Sequence, residues 1–410
     1  MINKKNRRLR ILVTCGSRMP SVELGALIPL SLVEKRGMCE LNYKNEMLLS
    51  LSDIVWCDIL FLVRGSSFQS LWIANSAKKL HRIVLGYWDD DLLSVPDYSL
   101  SYRYHSSPRT KKNVFKLFEI TDQFFSPNNK LATKLSTLHG KKVHVLPVPY
   151  GPVKMRVPKR RIRGLPIVGY AGGSDHIKLV NSFLAPLLSA VVNDYVDFNV
   201  HIIGPRPKFD KKLEDRTTYD APIRNYYVYL DFTSRLHWDI GLAPQVNIEF
   251  TTYKFYNKLL EYAAMGCAGI YSKVEPYTGV IQDGITGLLV NNEVDAWKDA
   301  ILRLLKDSEL RFKIASNAYD LVQSSNNRKL IAEKYISALE PFLYYRAPDI
   351  KKPYIYFGTI PILFARAWNL VIEDVRTYGA FAVIRGTLGY LFRKIFPKDS
   401  KVKKIAEYKL

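Results

Sequence analysis

Short, almost wholly apolar runs recur along the chain, each closed by glycine, serine or aspartate and separated by stretches with a 3.6-residue period. In the first third these runs fall at residues 9–14, before Cys15-Gly16-Ser17; 58–64, before Gly65-Ser66-Ser67; and 83–87, before Trp88-Asp89-Asp90-Asp91. Two more follow at 123–126 and 142–146, with helical patterns over 71–80 and 129–138. Runs this apolar lack the alternation of a strand with one wet face. Interleaved with helices, they predict a parallel sheet covered on both sides.

Residues 147–166 break the rhythm with five prolines and the basic run Lys159-Arg160-Arg161-Ile162-Arg163, and predict a linker. The strand, glycine turn and helix pattern restarts at residues 167–175. Further strands are expected at 198–203, 240–243, 268–271 and 287–290, with helices over 256–265 and 296–306. The chain therefore divides into a Rossmann-like domain at 1–150, a linker at 151–166, a second Rossmann-like domain at 167–341 and a tail at 342–410. Two doubly wound domains facing a cleft are the expected architecture.

The tail has a different character, with 13 Lys and Arg against 5 Asp and Glu, and aromatics interleaved among aliphatics. Arg366 and Arg385 interrupt its best apolar stretches, so amphipathic helices over 353–372 and 378–396 are expected rather than spanning ones. Such helices suit an anionic membrane surface; the alternative is that they pack on the first domain. The whole chain carries a formal charge of +22, which draws anionic partners such as nucleic acid, acidic lipid or phosphorylated substrates. No nucleic-acid motif accompanies it, and no nucleic-acid partner is expected. The four cysteines are scattered without C-x-x-C spacing, excluding a disulfide framework or zinc site by pattern. The basic stretch 1–10 precedes an apolar run too short for a signal peptide, so a cytoplasmic location is expected.

Ligands of doubly wound domains bind beyond the carboxyl ends of the strands, which directs attention to three loops. In the first, Gly172-Gly173-Ser174 allows backbone N–H groups to approach a diphosphate at a helix start; an unliganded tight turn fits equally. Asp175-His176 follows it. In the second, Lys254, Lys258 and Glu261 share one helix face, with both lysines near its start, beside Tyr256 and Asn257. Cations at a helix N-terminus are unfavourable unless an anion is there. One reading assigns Lys254 and Lys258 to phosphate oxygens and Glu261 to a ribose diol; the other makes Lys258 and Glu261 a solvated ion pair over a buried Leu259-Leu260-Ala263-Ala264 stripe. The third loop contains Tyr277 and Thr278, then Asp283-Gly284.

The run NKLLEYAAMGCAGIYSKVEPYTGVIQDGITGLLV resembles the donor-binding half of family-4-type GT-B glycosyltransferases, a likeness extended by IVGYAGGSDH and WDIGLAP. YWDDDLLSVP resembles a stretch of bacterial surface-polysaccharide glycosyltransferases. The resemblance implies a GT-B fold and a nucleotide-diphosphate sugar held mainly by the second domain. It also implies a glycan or polyprenyl-linked acceptor held mainly by the first, no cofactor or obligatory metal, and retention at the anomeric carbon. Glu261 matches the second glutamate of that family's E-x7-E signature, a ribose contact; Tyr253 replaces the first. Lys254 and Lys258 match a subset in which lysines neutralise the diphosphate. Lys254, Lys258, Asp90 and His176 are the expected catalytic groups. The nucleotide sugar is assigned to Gly172, Gly173, Ser174, Lys254, Tyr256, Asn257, Lys258, Glu261, Tyr277 and Thr278. Asp89-Asp90-Asp91 also admits a metal-binding or helix-capping reading. A sugar-nucleotide epimerase or hydrolase, and a non-enzymatic anion-binding protein, are the competing functions.

Overall fold

The computed structural model describes residues 7–350, apart from 152, 153, 162, 174, 175 and 224. The helices expected at 353–372 and 378–396 lie outside the described residues. The first lobe contains β1 (Leu9–Cys15), β2 (Cys39–Asn45), β3 (Ile59–Val63), β4 (Ile83–Tyr87), β5 (Gln123–Ser126) and β6 (Val143–Val145). They form one parallel sheet in the order β2-β1-β3-β4-β5-β6, with Ile11 opposite Ile59 and Phe61 opposite Leu85. All five residues of β3 are buried, as expected of a strand with helices on both faces.

The second lobe holds β7 (Ile167–Ala171), β8 (Asn199–Ile203), β9 (Thr217–Asp220), β10 (Ile240–Ala243), β11 (Ala268–Ser272) and β12 (Leu288–Val290). Their order is β12-β11-β10-β7-β8-β9, again parallel. Strand order reverses between β1 and β3 in one sheet and between β7 and β10 in the other. At such a point the loops leave toward opposite faces and open a crevice. Two doubly wound sheets and their crevices give the architecture expected from the sequence.

The linker has no regular structure over residues 154–161, but it is fastened to the second lobe. Arg156 donates from its backbone to Ala264 O at 2.8 Å and from Nη2 to Ser234 O at 2.6 Å, and Arg161 Nε reaches Asp239 Oδ2 at 2.7 Å. All four cysteines are buried and unbonded. Among the described residues no helix is long and apolar enough to cross a membrane.

The chain then returns to the first lobe. The helix Arg328–Leu339 packs on the first-lobe helix Ile28–Lys35, and the buried Tyr335 hydroxyl donates to Gly25 O at 2.7 Å. Beyond it, Ala347 N–H donates to Asp58 Oδ1 at 2.8 Å, Arg82 Nη1 to Pro348 O at 3.1 Å and Arg346 Nε to Arg7 O at 2.9 Å. Asp58 is fully buried and also accepts from the Arg7 guanidinium at 2.5 and 2.6 Å and from Arg10 N–H at 2.9 Å. One carboxylate thus closes the amino end of β1, the start of β3 and the returning chain.

Replacing it takes away the acceptor of the Arg10 and Ala347 N–H groups and the partner of the Arg7 guanidinium. Asp58→Ala is expected to lower the unfolding free energy by about 2–3 kcal/mol, the cost of leaving buried N–H donors and a partly buried guanidinium unpaired. Urea denaturation followed by tryptophan fluorescence checks this; a change below about 0.5 kcal/mol would contradict the role given to Asp58.

Candidate functional site

The floor of the site is a close contact between the carboxyl ends of β7 and β8. Gly172 N–H donates to Ile203 O at 3.0 Å, and Gly204 sits at φ +129°, where a Cβ would lie 2.2 Å from Gly172 O. Only glycine tolerates both that dihedral and that approach. At Gly172 itself a Cβ would lie 2.5 Å from Tyr170 Oη and 2.8 Å from His176 Nδ1, two atoms that are 2.8 Å from each other. The glycine turn therefore lets His176 fold back onto Tyr170. It also uses up the Gly172 N–H within the sheet, so of the two glycines Gly173, exposed at the rim, is the one facing outward.

A cavity of about 290 Å³ opens above this floor. Gly172, Gly173 and His176 line one side, and Asn257, Lys258 and Glu261 another. Ile203, Tyr226 and Tyr229 form an apolar wall, and Pro20 reaches in from the first lobe.

The helix Asn257–Met265 starts at this cavity with no side-chain cap and no acid in its first turn. Its partial positive charge favours an anion at the opening, and Lys258 adds a full charge. Lys258 Nζ lies 2.6 Å from Glu261 Oε2, which also accepts from Tyr229 Oη at 2.7 Å. The ion pair of the bland sequence reading therefore exists, but it lines the cavity, with Glu261 only 11% exposed. Burial, then the nearby Glu261 carboxylate, pushes the Tyr229 hydroxyl well above its ordinary pKa, keeping it a hydrogen-bond donor. Asn257 Oδ1 is buried here with no partner.

A second cavity, about 300 Å³, lies on the β10 side of the strand-order reversal. His176 lines both. Lys178, Val246, Phe250 and Lys254 line it from the second lobe, and Pro96, Tyr98 and Ser99 from the first. Lys254, four residues from Lys258, thus faces the other cavity, its Nζ 5.0 Å from the Phe250 ring centre. Its carbonyl accepts from Asn128 Nδ2 of the first lobe at 2.8 Å.

The remaining expected residues are placed elsewhere. Tyr256 packs on Phe255 with ring centres 4.0 Å apart and lines neither cavity. Tyr277 is buried against Tyr271 at 4.9 Å, and Thr278 is exposed with its N–H closing a turn onto Val274 O at 3.2 Å. Ser174 lies outside the described residues, as does Asp175. Asp90 pairs with Arg64, whose Nε holds Asp89 Oδ1 at 2.5 Å, and buried Asp91 pairs with Lys134 at 2.6 Å. Burial acts against the Arg64 charge, but Asp89 and Asp90 outweigh it and raise its pKa. Each carboxylate of this triplet is thus paired with a cation of the protein, Arg64 or Lys134, and among the described residues no three His, Cys, Asp or Glu side chains gather as metal ligands would.

Tyr253 lies beneath Lys134 Nζ, 4.6 Å from its ring centre, and packs against the first-lobe cluster around Trp88 and Phe118. The side chain at the position of the family's first glutamate is here a joint between lobes. Sequence reasoning missed Tyr226, Tyr229 and Lys178. A usable signal was Asn225, which caps the helix Tyr226–Arg235 by accepting from Tyr227 N–H at 3.0 Å, so that tyrosines three apart share one face.

Residues 165–307 match the family model of the glycosyl transferases group 1. No curated protein matches the chain in sequence. Among solved structures, HepE of Anabaena in complex with UDP and glucose superposes with a TM-score of 0.56 at 13% identity, over 82% of this chain and 100% of that one. The lipopolysaccharide outer core galactosyltransferase WaaB gives 0.52 at 13% identity over 81% and 99%. TarM gives 0.51 at 14% identity over 72% of this chain, which spans only 58% of TarM. At these identities the likeness is one of fold, the two-lobed GT-B arrangement.

Two glycines with positive φ separate backbone clash from backbone conformation. Gly204→Ala is expected to cost roughly 3 kcal/mol or more, whereas Gly140→Ala, at φ +65° with open space around it, costs about 1 kcal/mol. Chemical-denaturation midpoints of the two variants test this, and equal costs would show that the β7–β8 contact is not tight.

Proposed function

We propose that the protein transfers a sugar from a nucleoside diphosphate sugar to a glycan or polyprenyl-linked acceptor in cell-surface polysaccharide synthesis, with retention at the anomeric carbon and without a metal ion. The observation that carries the reading is the uncapped start of the helix Asn257–Met265, bearing Lys258 and opening with Glu261 into a cavity at the carboxyl ends of β7 and β8. UDP complexes of HepE support a uridine nucleotide as donor.

The diphosphate lies at the helix start, with Lys258 turned from Glu261 to a phosphate oxygen. Glu261, still oriented by Tyr229, accepts from the ribose diol. The base rests on the wall of Ile203, Pro222, Ile223 and Tyr226. As the bond from the anomeric carbon to the diphosphate lengthens, charge grows on the leaving oxygen, and Lys258 and the helix start stabilise it. This fixed positive charge supplies the neutralisation that the leaving group needs without a divalent ion. The acceptor hydroxyl forms the new bond, and its proton leaves with the nucleoside diphosphate. Asp90, held by Arg64, shapes the first-lobe side of the cleft. The protein works in the cytoplasm, at the inner face of the membrane.

Lys258→Ala and Glu261→Ala are each expected to weaken UDP binding about 10- to 100-fold in calorimetry, the worth of a charge-assisted hydrogen bond. Unchanged affinity in variants that melt with the parent would remove the nucleotide from this cavity. Sugar transfer, followed by product analysis with and without acceptor, is expected to survive excess EDTA. Loss of transfer with EDTA that returns on adding Mg²⁺ would reject the metal-free mechanism. Donor turnover that is indifferent to acceptor would favour hydrolysis or epimerisation.

A further inference from the structure

Lys178 and Lys254 both line the second cavity, and among the described residues no Asp or Glu does. Neither lysine forms an ion pair with a described residue, in contrast to Lys258 in the first cavity, which has Glu261. Two ammonium groups with no described carboxylate beside them on one cavity repel each other, an arrangement that an anion relieves. Around them the walls are apolar: Tyr98 from the first lobe, and Leu179, Val246 and Phe250 from the second. The apolar wall continues outward, because Tyr98 is 50% exposed and Leu100, two residues on, is 82% exposed. Large apolar side chains left open beside a cavity mark a surface that something covers.

We propose that this second cavity is the acceptor subsite and that its ligand is a phosphorylated isoprenoid carrying a saccharide. The phosphate lies between Lys178 and Lys254, the first isoprene units lie on Phe250, Val246 and Tyr98, and the hydrocarbon leaves over Leu100. At about 300 Å³ the cavity holds the phosphate and the start of the chain, not a whole lipid. A free neutral glycan would leave both lysines uncompensated and the apolar wall wet. His176, shared by the two cavities, stands where the acceptor saccharide meets the donor sugar.

In the same lobe as Tyr98 and Leu100 the helix Pro108–Ile120 buries Val114, Leu117 and Phe118 and exposes Arg109, Lys111, Lys112, Phe115 and Lys116. None of those cations pairs with a described carboxylate, which agrees with an anionic bilayer as the source of the ligand.

This proposal rests on the first cavity being the donor site, and the test keeps the two apart. Farnesyl diphosphate is titrated calorimetrically into the full-length protein already saturated with UDP, with inorganic diphosphate and farnesol as separate probes. Farnesyl diphosphate is expected to bind the UDP complex at least tenfold more tightly than either fragment. Lys178→Ala is expected to weaken that binding 10- to 100-fold and Tyr98→Ser about tenfold, with UDP affinity unchanged in both. Competition between farnesyl diphosphate and UDP would overturn the proposal, as would a Lys178→Ala variant that loses UDP binding in proportion. So would undiminished farnesyl diphosphate binding in both variants. Failure of UDP itself to bind, or its indifference to Lys258→Ala, would instead strike the donor reading.

Discussion

Two parallel sheets joined by one irregular linker have no reason to keep a fixed relation to each other, and the return of the chain to its starting lobe supplies that reason. The helix Arg328–Leu339 lies on Ile28–Lys35, Tyr335 reaches the Gly25 carbonyl, and Asp58 receives the backbone of Ala347. Each contact joins residues roughly 290 to 310 positions apart. Contacts of such separation carry a large loop-closure cost, so they persist only where burial and charge complementarity outweigh it. Asp58 meets that demand by being wholly buried with four donors around it. Everything built between the lobes, Pro20 over the first cavity and Tyr98 beside the second, depends on this closure.

A smaller set of ties acts at the cleft itself. Lys134 bridges Asp91 of its own lobe and Glu249 of the other, at 2.6 and 2.5 Å, and Lys130 reaches Glu275 at 2.7 Å. Glu249 is largely exposed, so its pair with Lys134 is worth little by itself. The contrast with Asp58 fits a hinge-like division of labour: a firm union on the side of the returning chain, and weak, solvent-screened pairs across the cleft, where substrate has to enter.

The strands legible from the sequence are those buried on both faces, β1, β3, β4, β7, β8, β10 and β11 among them, because continuous apolar runs are the direct imprint of a covered parallel sheet. The two strands not anticipated, β2 (CELNYKN) and β9 (TTYD), are the outermost of their sheets, and their polar side chains reflect half-open faces. The site was legible where chemistry conflicts with local propensity: cations at the start of an uncapped helix announced Lys258 and Glu261. It was opaque where tertiary packing decides. Nothing in the spacing shows that Tyr277 turns into the core against Tyr271, or that Lys254 and Lys258, one helical turn apart in number, face different cavities because the helix begins between them. Arg64, which neutralises Asp89 and Asp90, is 25 residues distant in sequence and at φ +52°, a left-handed conformation that no residue pattern announces.

The strand-order reversal in the second sheet explains why there are two cavities rather than one. The loops after β7 and β10 leave toward opposite sides, so the crevice between them has two flanks, and the segment following β7 is their common partition. His176 occupies that partition, fixed by its contact with Tyr170 and made possible by the absence of a side chain at Gly172. A ligand on either flank is then within reach of the same imidazole, while direct passage between flanks is blocked by it. On that geometry the two lysines of one sequence motif need not serve one phosphate group. Lys258 meets its charge partner in Glu261 and exchanges it when an anion arrives, whereas among the described residues the Lys254 ammonium meets the face of Phe250 and no carboxylate. A cation held over an aromatic ring with no described carboxylate beside it is poised for an anion of its own, on the flank that Pro96, Tyr98 and Ser99 of the first lobe also line.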